Sequence, residues 1–409
     1  MPRSKVMPVG VDDFQKVAEG YYFVDKSEFI KELIDGHADV TLITRPRRFG
    51  KTLTLSMLKY FFDIERATEN RKLFQGLAVE QAGERYMAEQ GTRPTIFFSL
   101  KEIKMPDYAS MLEALQELLR RVHEQYRYLL DGDGLSKDEH VVFGKLLSKN
   151  ANLAELQTSI QNLSNWLQRH YDRRVLLLID EYDAPIQYAW EHGYYNEAIA
   201  FFRNFYGSAL KTNPALDFAV MTGVLRISKE SIFSALNNLD VSSVLRGSYP
   251  TVMGFTREEV VHIAKDLDAT DKLPELKDWY DGYNFSGWEI YNPWSVINYF
   301  KQSCKPDLYW VNTSGNSILT EMLDNADASQ EKDLNKLLTM GTLTIPVNET
   351  FIYNEIYSNR DALYMTLLTT GYLKSIPMER EDWMGDWDFA KLQIPNKEIR
   401  RVYEREIVA

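Results

Sequence analysis

Short apolar runs alternate with longer segments of helical periodicity along this chain. The runs are rich in Val, Ile, Leu and Phe, and their length is typical of buried strands: 40–44, 95–100, 175–179 and 217–222. Between them, the apolar spacing predicts helices at 27–34, 53–62, 108–170 (with a break at 131–134) and 196–210. This alternation predicts an α/β fold with a doubly wound, mostly parallel sheet. Asp25 and Glu28 are spaced as a capping pair for the first helix, and Thr256 and Glu259 for a later one.

Two adjacent carboxylates follow the third run. Asp180 and Glu181 come directly after 175–179, and open α/β sheets bind ligands at the carboxyl ends of their strands. One carboxylate can hold a hydrated Mg²⁺ while the next polarises a water, as nucleotide hydrolysis requires in a Walker B strand. Taken alone, the pattern fits a buried strand leading into an acidic, solvent-facing loop equally well.

The segment after the first strand has the features of a phosphate-binding (Walker A) loop. It reads Arg45-Pro46-Arg47-Arg48-Phe49-Gly50-Lys51-Thr52-Leu53 and leads into helix 53–62. Backbone N–H groups of such a loop, with the positive end of the helix, form an anion cradle. Lys51 would reach the outer phosphates, and the Thr52 hydroxyl would take one Mg²⁺ position.

This loop departs from the consensus G-x-x-x-x-G-K-[ST] at its first position. Arg45 stands where the first glycine is expected, so the opening turn lacks glycine's conformational freedom and Pro46 stiffens it instead. Arg45, Arg47 and Arg48 either add positive charge around the phosphates or form a solvated basic turn.

Together, the loop 45–52 and the segment 178–185 (Leu-Ile-Asp-Glu-Tyr-Asp-Ala-Pro) resemble the AAA-ATPase-like family of bacterial and archaeal proteins. Members usually carry a PD-(D/E)XK nuclease-like domain after the ATPase. The resemblance covers most of the chain, and the family's loop also lacks the first glycine. Further matching stretches lie at 8–14, 22–27, 222–229, 280–285, 291–295 and 312–316.

The resemblance implies an Mg²⁺-dependent ATPase that binds ATP through residues 45–53. In it, Asp180 would orient the metal and Glu181 would activate the water. An extra strand between the Walker A and Walker B strands is typical of the catalytic-glutamate class of P-loop NTPases. Thr222, at the end of strand 217–222, would then lie beside the water, and Arg226 would sense the γ-phosphate. A commonplace strand-end threonine and a surface ion pair are the plainer explanations of these two residues.

We expect two domains: an ATPase domain at 1–250 with a helical insertion at about 102–170, and a helical region at 251–409. The resemblance implies that the second is winged-helix-like and ends near the usual nuclease junction. Between 340 and 409 we find no convincing Asp and Glu-x-Lys pair, so we expect no nuclease activity. Whether the chain is natively short or part of a longer protein stays open.

Composition narrows the functional classes. The 409 residues are 44% hydrophobic and carry 47 − 59 = −12 charges, which argues against nucleic-acid binding over the whole surface but not against a local basic groove. With one cysteine, Cys304, and no apolar run long enough to span a bilayer, we expect a cytoplasmic protein without a membrane segment. The six histidines show no metal-binding spacing. The cluster Tyr21-Tyr22-Phe23 either stacks on adenine or packs in the core.

Three functions follow from these features. The first is an Mg²⁺-dependent ATPase that powers or gates a partner or a nuclease-like module. The second is a nucleotide-binding switch with negligible hydrolysis, which uses 251–409 to bind a protein or nucleic acid. The third is a scaffold that no longer binds nucleotide, suggested by Arg45 at the glycine position. The oligomeric state is not predicted, and Arg226 and Arg246 are candidates for an arginine donated to a neighbouring subunit.

Overall fold

The computed structural model describes residues 5–211, 213–226, 239–310, 328–339, 341–349, 359–379 and 388–408, together with positions 353, 356 and 384. Two parts of the matching stretches, 227–229 and 312–316, lie outside the described residues. Among the described helices, none combines the length and the apolar character needed to cross a membrane.

Five parallel strands form the main sheet, which confirms the predicted α/β fold class. They are β1 (Val40–Thr44), β2 (Thr95–Ser99), β3 (Val175–Asp180), β4 (Leu216–Gly223) and β5 (Leu239–Ser242), in the order β2-β3-β4-β1-β5. All pairings are parallel. Strand β4 lies between β1 and β3, which is the arrangement expected of the catalytic-glutamate class. The edge strand β5 was not predicted, because its sequence Leu-Asp-Val-Ser is half polar and only partly buried.

Helices cover both faces of this sheet and fill the insertion between β2 and β3. Their bounds are α1 (Phe14–Gly20), α2 (Glu28–Gly36), α3 (Lys51–Phe62), α4 (Ala67–Arg71), α5 (Ala78–Gln81), α6 (Glu84–Met87), α7 (Tyr108–Glu124), α8 (Lys137–Leu147), α9 (Leu153–Tyr171), α10 (Ala184–Glu191) and α11 (Tyr195–Tyr206). The predicted capping pair at α2 is wrong. Ser27 is the N-cap, and the Asp25 carboxylate accepts from the backbone of Ser27 and of Ala78 instead.

The C-terminal part is helical, as predicted, with short strands between its helices. Its elements are β6 (Phe255–Thr256), α12 (Arg257–Asp266), α13 (Leu273–Tyr280), β7 (Tyr283–Phe285), β8 (Trp288–Tyr291), α14 (Pro293–Lys301), α15 (Ala328–Thr339), β9 (Leu343–Pro346), α16 (Arg360–Thr370), β10 (Lys374–Ile376), β11 (Phe389–Gln393) and α17 (Lys397–Val408). The strands form two antiparallel sheets, β6-β8-β7 and β10-β11-β9. The predicted capping box of Thr256 and Glu259 at α12 is confirmed.

The N-terminal segment packs across the predicted boundary at residue 250. Met7 and Tyr22 belong to a buried cluster whose other members come from 255–300, including Val260, Tyr291 and Val296. The division into domains 1–250 and 251–409 stays a prediction. For function, the consequence is that the N-terminal segment and residues 252–300 both contribute to the cavity next to the loop after β1.

Candidate functional site

The Asp180 carboxylate lies at the centre of a hydroxyl network. Thr52 and Ser99 donate to its Oδ2 at 2.8 and 3.1 Å, and Thr222 donates to Oδ1 at 2.7 Å. These residues come from the start of α3 and the ends of β2 and β4, which flank β3 in the main sheet. Asp180 is fully buried. Three donated hydrogen bonds compensate much of the cost of burying a carboxylate there.

The Lys51 ammonium is buried at the base of the phosphate loop. Its Nζ donates to the backbone carbonyls of Arg45 at 3.0 Å and Pro46 at 2.9 Å. Burial lowers the pKa of Lys51, and the nearby Glu181 and Asp180 carboxylates oppose that shift. Lys51 therefore lies close to both carboxylates of the doublet Asp180–Glu181.

Arg45 corrects the sequence interpretation, because its side chain points away from the cavity and into the protein core. The guanidinium donates to the carbonyls of Thr44 and Tyr249 and to both the carbonyl and the hydroxyl of Ser242. It also lies 4.8 Å over the Phe285 ring. Burial lowers the pKa of Arg45 to about 9, so the group stays charged at neutral pH. Arg45 thus joins β1 to β5, and its buried guanidinium is bonded to protein acceptors.

The rest of the loop divides between cavity and core. Arg47 is half-buried and approaches Gln187 at 3.5 Å, whereas the exposed Arg48 stacks 4.3 Å over Trp294. Phe49 is buried and packs edge-on against Tyr283. Gly50 has a φ of 88°, a left-handed conformation that L side chains rarely adopt, and it caps α3. Glycine is therefore strongly favoured at position 50.

Glu181 is held in a strained backbone conformation just past β3. Its φ of 49° is uncommon for a residue with a side chain, and such outliers concentrate at functional sites. The next residues are tightly fixed: Tyr182 N–H donates to the Thr222 carbonyl at 3.0 Å. Buried Asp183 accepts from the backbone of Val224 and of Leu225. Burial raises the pKa of Asp183.

A cavity of about 340 Å³ opens above the loop, and we call it the nucleotide cavity. Polar groups in its lining include Gly50, Lys51, Thr52 and Glu181. Much of the remaining lining is apolar or aromatic and comes from the N-terminal segment, α3 and the C-terminal part: Met7, Pro8, Val11, Tyr22, Phe23, Val24, Leu53, Met57, Val252, Phe255, Trp294 and Ile297. Such a lining suits a ligand that has an ionic part and a flat apolar part.

A second cavity of about 380 Å³ adjoins the first, and we call it the side cavity. Hydroxyls and carboxylates dominate its lining: Asp12, Asp13, Thr52, Ser56, Ser99, Glu102 and Asp180. Asp12, Thr52 and Lys101 line both cavities. The two cavities therefore meet beside the hydroxyl network around Asp180.

The structure brings most, but not all, of the predicted site residues to the nucleotide cavity. Those that line it are Arg47, Arg48, Phe49, Gly50, Lys51, Thr52, Leu53 and Glu181. Those outside its lining are Arg45, Pro46, Asp180, Thr222 and Arg226. Asp180 instead lines the side cavity, and Thr222 reaches the site only through its bond to Asp180. The Arg246 Nε lies 2.6 Å from a carboxylate oxygen of Glu349, so Arg246 forms an ion pair inside its own chain.

Several site residues were missed by sequence reasoning. Ser99 ends a predicted strand, but its contact with Asp180 depends on the β2–β3 register, in which the two residues are paired. Trp294 lies in the matching stretch 291–295 but received no role from the sequence, and Lys101 lies in none of these stretches. Of the cluster Tyr21-Tyr22-Phe23, Tyr22 and Phe23 line the nucleotide cavity, and Tyr22 also belongs to the core.

The oxygen donors at Asp180 suit Mg²⁺. This ion is usually held by one or two protein oxygens, with waters and substrate phosphates completing the octahedron. Thr52 and Asp180 offer such a pair at 2.8 Å. In the part of the chain that the structure describes, no group of three or more His, Cys, Asp or Glu side chains could hold a metal without a substrate.

Comparison with known proteins gives the family. A family model described as "Predicted AAA-ATPase" matches residues 8–233, which is more than half of the chain. The chain belongs to this AAA-ATPase-like family. The matched range of this AAA-ATPase-like protein includes the phosphate loop, Asp180, Glu181 and strand β4.

A curated relative extends the comparison. The chain is 31% identical over 328 residues to an "Uncharacterized protein in vnfD 5'region" from Azotobacter chroococcum mcd 1. The alignment covers 79% of this AAA-ATPase-like chain and 57% of the relative, so the chain spans little more than half of the relative's length.

Proposed function

We propose that this AAA-ATPase-like protein binds Mg²⁺·ATP in the nucleotide cavity and hydrolyses it. The observation that carries the proposal is the convergence of Lys51, Thr52 and Glu181 on one cavity, with Asp180 bonded to Thr52 at 2.8 Å. Membership of a family of predicted AAA-ATPases supports the same function.

The triphosphate would lie over the loop, between the backbone of Gly50 and the Lys51 ammonium. The N-terminus of α3 favours anions there, since its first N–H groups have no partner within the helix. To reach the outer phosphates, Lys51 would exchange its bonds to the Arg45 and Pro46 carbonyls for phosphate oxygens. A buried ammonium with carboxylates nearby is well suited to that exchange.

The adenine base of ATP would lie against the apolar and aromatic residues of the cavity lining. Phe23, Trp294 and Ile297 offer flat and aliphatic surfaces for stacking, and Met7 and Pro8 approach from the N-terminal segment. The proposal of adenine there follows the family and the apolar lining.

The side-chain oxygens of Thr52 and Asp180 would hold Mg²⁺. When bound, this ion supplies positive charge to the phosphate oxygens. The hydroxyls of Ser99 and Thr222 keep the Asp180 carboxylate in position by donating one hydrogen bond to each of its oxygens.

Glu181 would act as the general base. The oxygen of a water bonds to the γ-phosphorus as the bond from this phosphorus to the β–γ bridging oxygen breaks. ADP leaves with that electron pair, and Glu181 accepts the proton of the water. The strained Glu181 backbone fixes where the carboxylate lies relative to Asp180. Thr222 would act through Asp180, and Arg226 is not needed in this scheme.

Phosphate release with Mg²⁺·ATP tests the proposal. Glu181→Gln should bind ATP normally but lose turnover about 100-fold or more, because the base is removed and the shape is kept. Lys51→Ala should instead weaken ATP binding. The matched control is Glu113→Gln on the exposed face of α7, which should behave as wild type.

Two results would replace the ATPase with another function. Tight ATP binding without phosphate release in the wild type would favour a nucleotide-gated switch, which would use the C-terminal part to bind a protein or nucleic acid. If saturating Mg²⁺·ATP failed to raise the melting temperature, the chain would be a scaffold, since ligand at 100 times its dissociation constant adds about 2.7 kcal/mol of stability.

A further inference from the structure

Lys101 lies where the nucleotide cavity and the side cavity meet, and it lines both. We infer that Lys101 is a further catalytic residue, which stabilises the negative charge that develops on the γ-phosphoryl group during ATP hydrolysis. This inference rests on the proposed function. It assigns the positive charge at the γ-phosphoryl group to a residue of the same chain, without an arginine from a neighbouring subunit.

The backbone of Lys101 is fixed relative to the metal-binding carboxylate. Ser99 is paired with Asp180 in the β2–β3 register, and Leu100 N–H donates to the Asp180 carbonyl at 3.0 Å. The Lys101 N–H donates to the Ser99 hydroxyl at 3.3 Å, and that hydroxyl donates to Asp180. Two short steps therefore connect Lys101 to Asp180. Because Glu181 follows Asp180 on the neighbouring strand, Lys101 begins beside the proposed base.

The other cations around the cavity have partners elsewhere. Lys26 donates to Glu259 and to the Thr251 carbonyl. Arg48 stacks on Trp294, and Arg47 approaches Gln187. Within the described ranges, the ammonium groups of Lys101 and Lys104 have neither an ion pair nor a hydrogen bond, and both line the cavity. Lys101 differs from Lys104 in lining the side cavity as well, next to Thr52 and Asp180.

The arginines suggested by the sequence are less well placed for this role. Arg246 is ion-paired with Glu349, and Arg226 is outside the lining of either cavity. A lysine on a long flexible stem can follow charge as it moves onto the equatorial oxygens of the γ-phosphoryl group. Lys101 would donate hydrogen bonds without transferring a proton, and the bonds made and broken are those of the hydrolysis given above.

Replacing the charge while keeping the length of the side chain tests this role. Lys101→Met should lower kcat for ATP about 10- to 100-fold and leave the ATP dissociation constant within about threefold. Lys101→Arg should restore most of the rate. The complex with ADP, Mg²⁺ and aluminium fluoride, which mimics the transition state, should form in the wild type and in Lys101→Arg but fail to form in Lys101→Met. If Lys101 had a purely structural role, its replacement by Met would not prevent this complex from forming while leaving ATP binding unchanged.

Two lysine variants serve as comparisons. Lys137→Met, at the exposed start of α8 and outside both cavities, should match the wild type in every assay. Lys104→Met, in the same loop, should lower kcat less than Lys101→Met does. Unchanged melting temperatures would show that the variants are folded.

The inference would be overturned if the wild type hydrolysed ATP and Lys101→Met hydrolysed it equally fast. The proposed function would then stand. A larger loss in Lys104→Met, or a loss of ATP binding in Lys101→Met, would also overturn the inference. A wild type without turnover would overturn the proposed function as well, so the two failures are distinguishable.

Discussion

The two halves of the phosphate loop differ in how far they are buried. In the front half, 50–53, all four residues line the nucleotide cavity, and 51–53 begin α3. In the back half, 45–49, three residues also line the cavity, but Arg45, Pro46 and Phe49 are buried. The Trp310 indole donates to the Arg47 carbonyl at 3.0 Å, and Phe49 packs on Tyr283. The loop thus combines side chains that face the cavity with side chains that anchor it in the core. We expect substitutions of the first kind to affect ligand binding and activity, and substitutions of the second kind to lower stability.

The largest difference should come from Arg45. Arg45→Met removes four hydrogen bonds and leaves the Ser242 and Tyr249 acceptors buried, so we expect the free energy of unfolding to fall by about 3 kcal/mol. Arg48→Met, at an exposed position, should cost less than about 1 kcal/mol. Urea unfolding of both variants measures this. A stable Arg45→Met with much weaker ATP binding would instead make Arg45 a phosphate ligand.

A pH experiment tests how the back half is anchored. Glu398 on α17 accepts from the Trp310 backbone at 2.7 Å and from the Ser295 hydroxyl at 2.8 Å. Burial raises the pKa of Glu398 to about 7, so the folded chain holds this proton more tightly than the unfolded chain does. The protonated Glu398 side chain therefore adds to the free energy of unfolding. This contribution is fully present below the unfolded pKa of about 4.3 and is lost as the pH rises to about 7.

This loss amounts to between about 3 and 4 kcal/mol across that pH window, as an order of magnitude. Glu398→Gln keeps a donor and an acceptor but cannot ionise, so it should remove this contribution and be more stable than the wild type at pH 8. Thermal unfolding at pH 5 and pH 8 measures the difference. Equal slopes in the two proteins would show that Glu398 is not held protonated.

A smaller effect is expected at Gly371, where the C-terminal part touches the loop. This glycine ends α16 with a φ of 96°, and an added Cβ would lie 3.0 Å from the Cβ of Pro46. Gly371→Ala should cost about 1–2 kcal/mol, because alanine is strained in this conformation and crowds Pro46. Gly132→Ala is the matched control, since no atom lies within 4 Å of its added Cβ and its φ is −107°. Similar losses in both variants would remove the Pro46 contact from the account.

The smallest change in stability should come from the front side. Ser99→Ala removes one hydroxyl from the Asp180 carboxylate and leaves Thr52 and Thr222 in place. We expect a loss of less than about 1 kcal/mol in stability and a several-fold higher Mg²⁺ concentration for half-maximal activity. Titration of activity with Mg²⁺ measures this. An unchanged Mg²⁺ requirement would limit Ser99 to a structural bond.

What the sequence predicted well was carried by local patterns. The four predicted strands, and the position of Asp180 and Glu181 at the end of β3, depend on neighbouring residues. Parallel strands then bring their carboxyl ends to one edge. Arg45 was misjudged because its acceptors at Ser242 and Tyr249 lie 197 and 204 residues away. Ser99 was missed because only the strand register pairs it with Asp180. The C-terminal strands are two to five residues long, too short for an alternation signal.

A crystal structure with Mg²⁺ and a non-hydrolysable ATP analogue tests the central claim most directly. We predict that the γ-phosphate lies within hydrogen-bond distance of Lys51 and that the metal next to it is bound to Thr52 and Asp180. The adenine ring should lie between Phe23 and Trp294. An analogue bound outside the nucleotide cavity, or a metal that contacts neither Thr52 nor Asp180, would contradict the account.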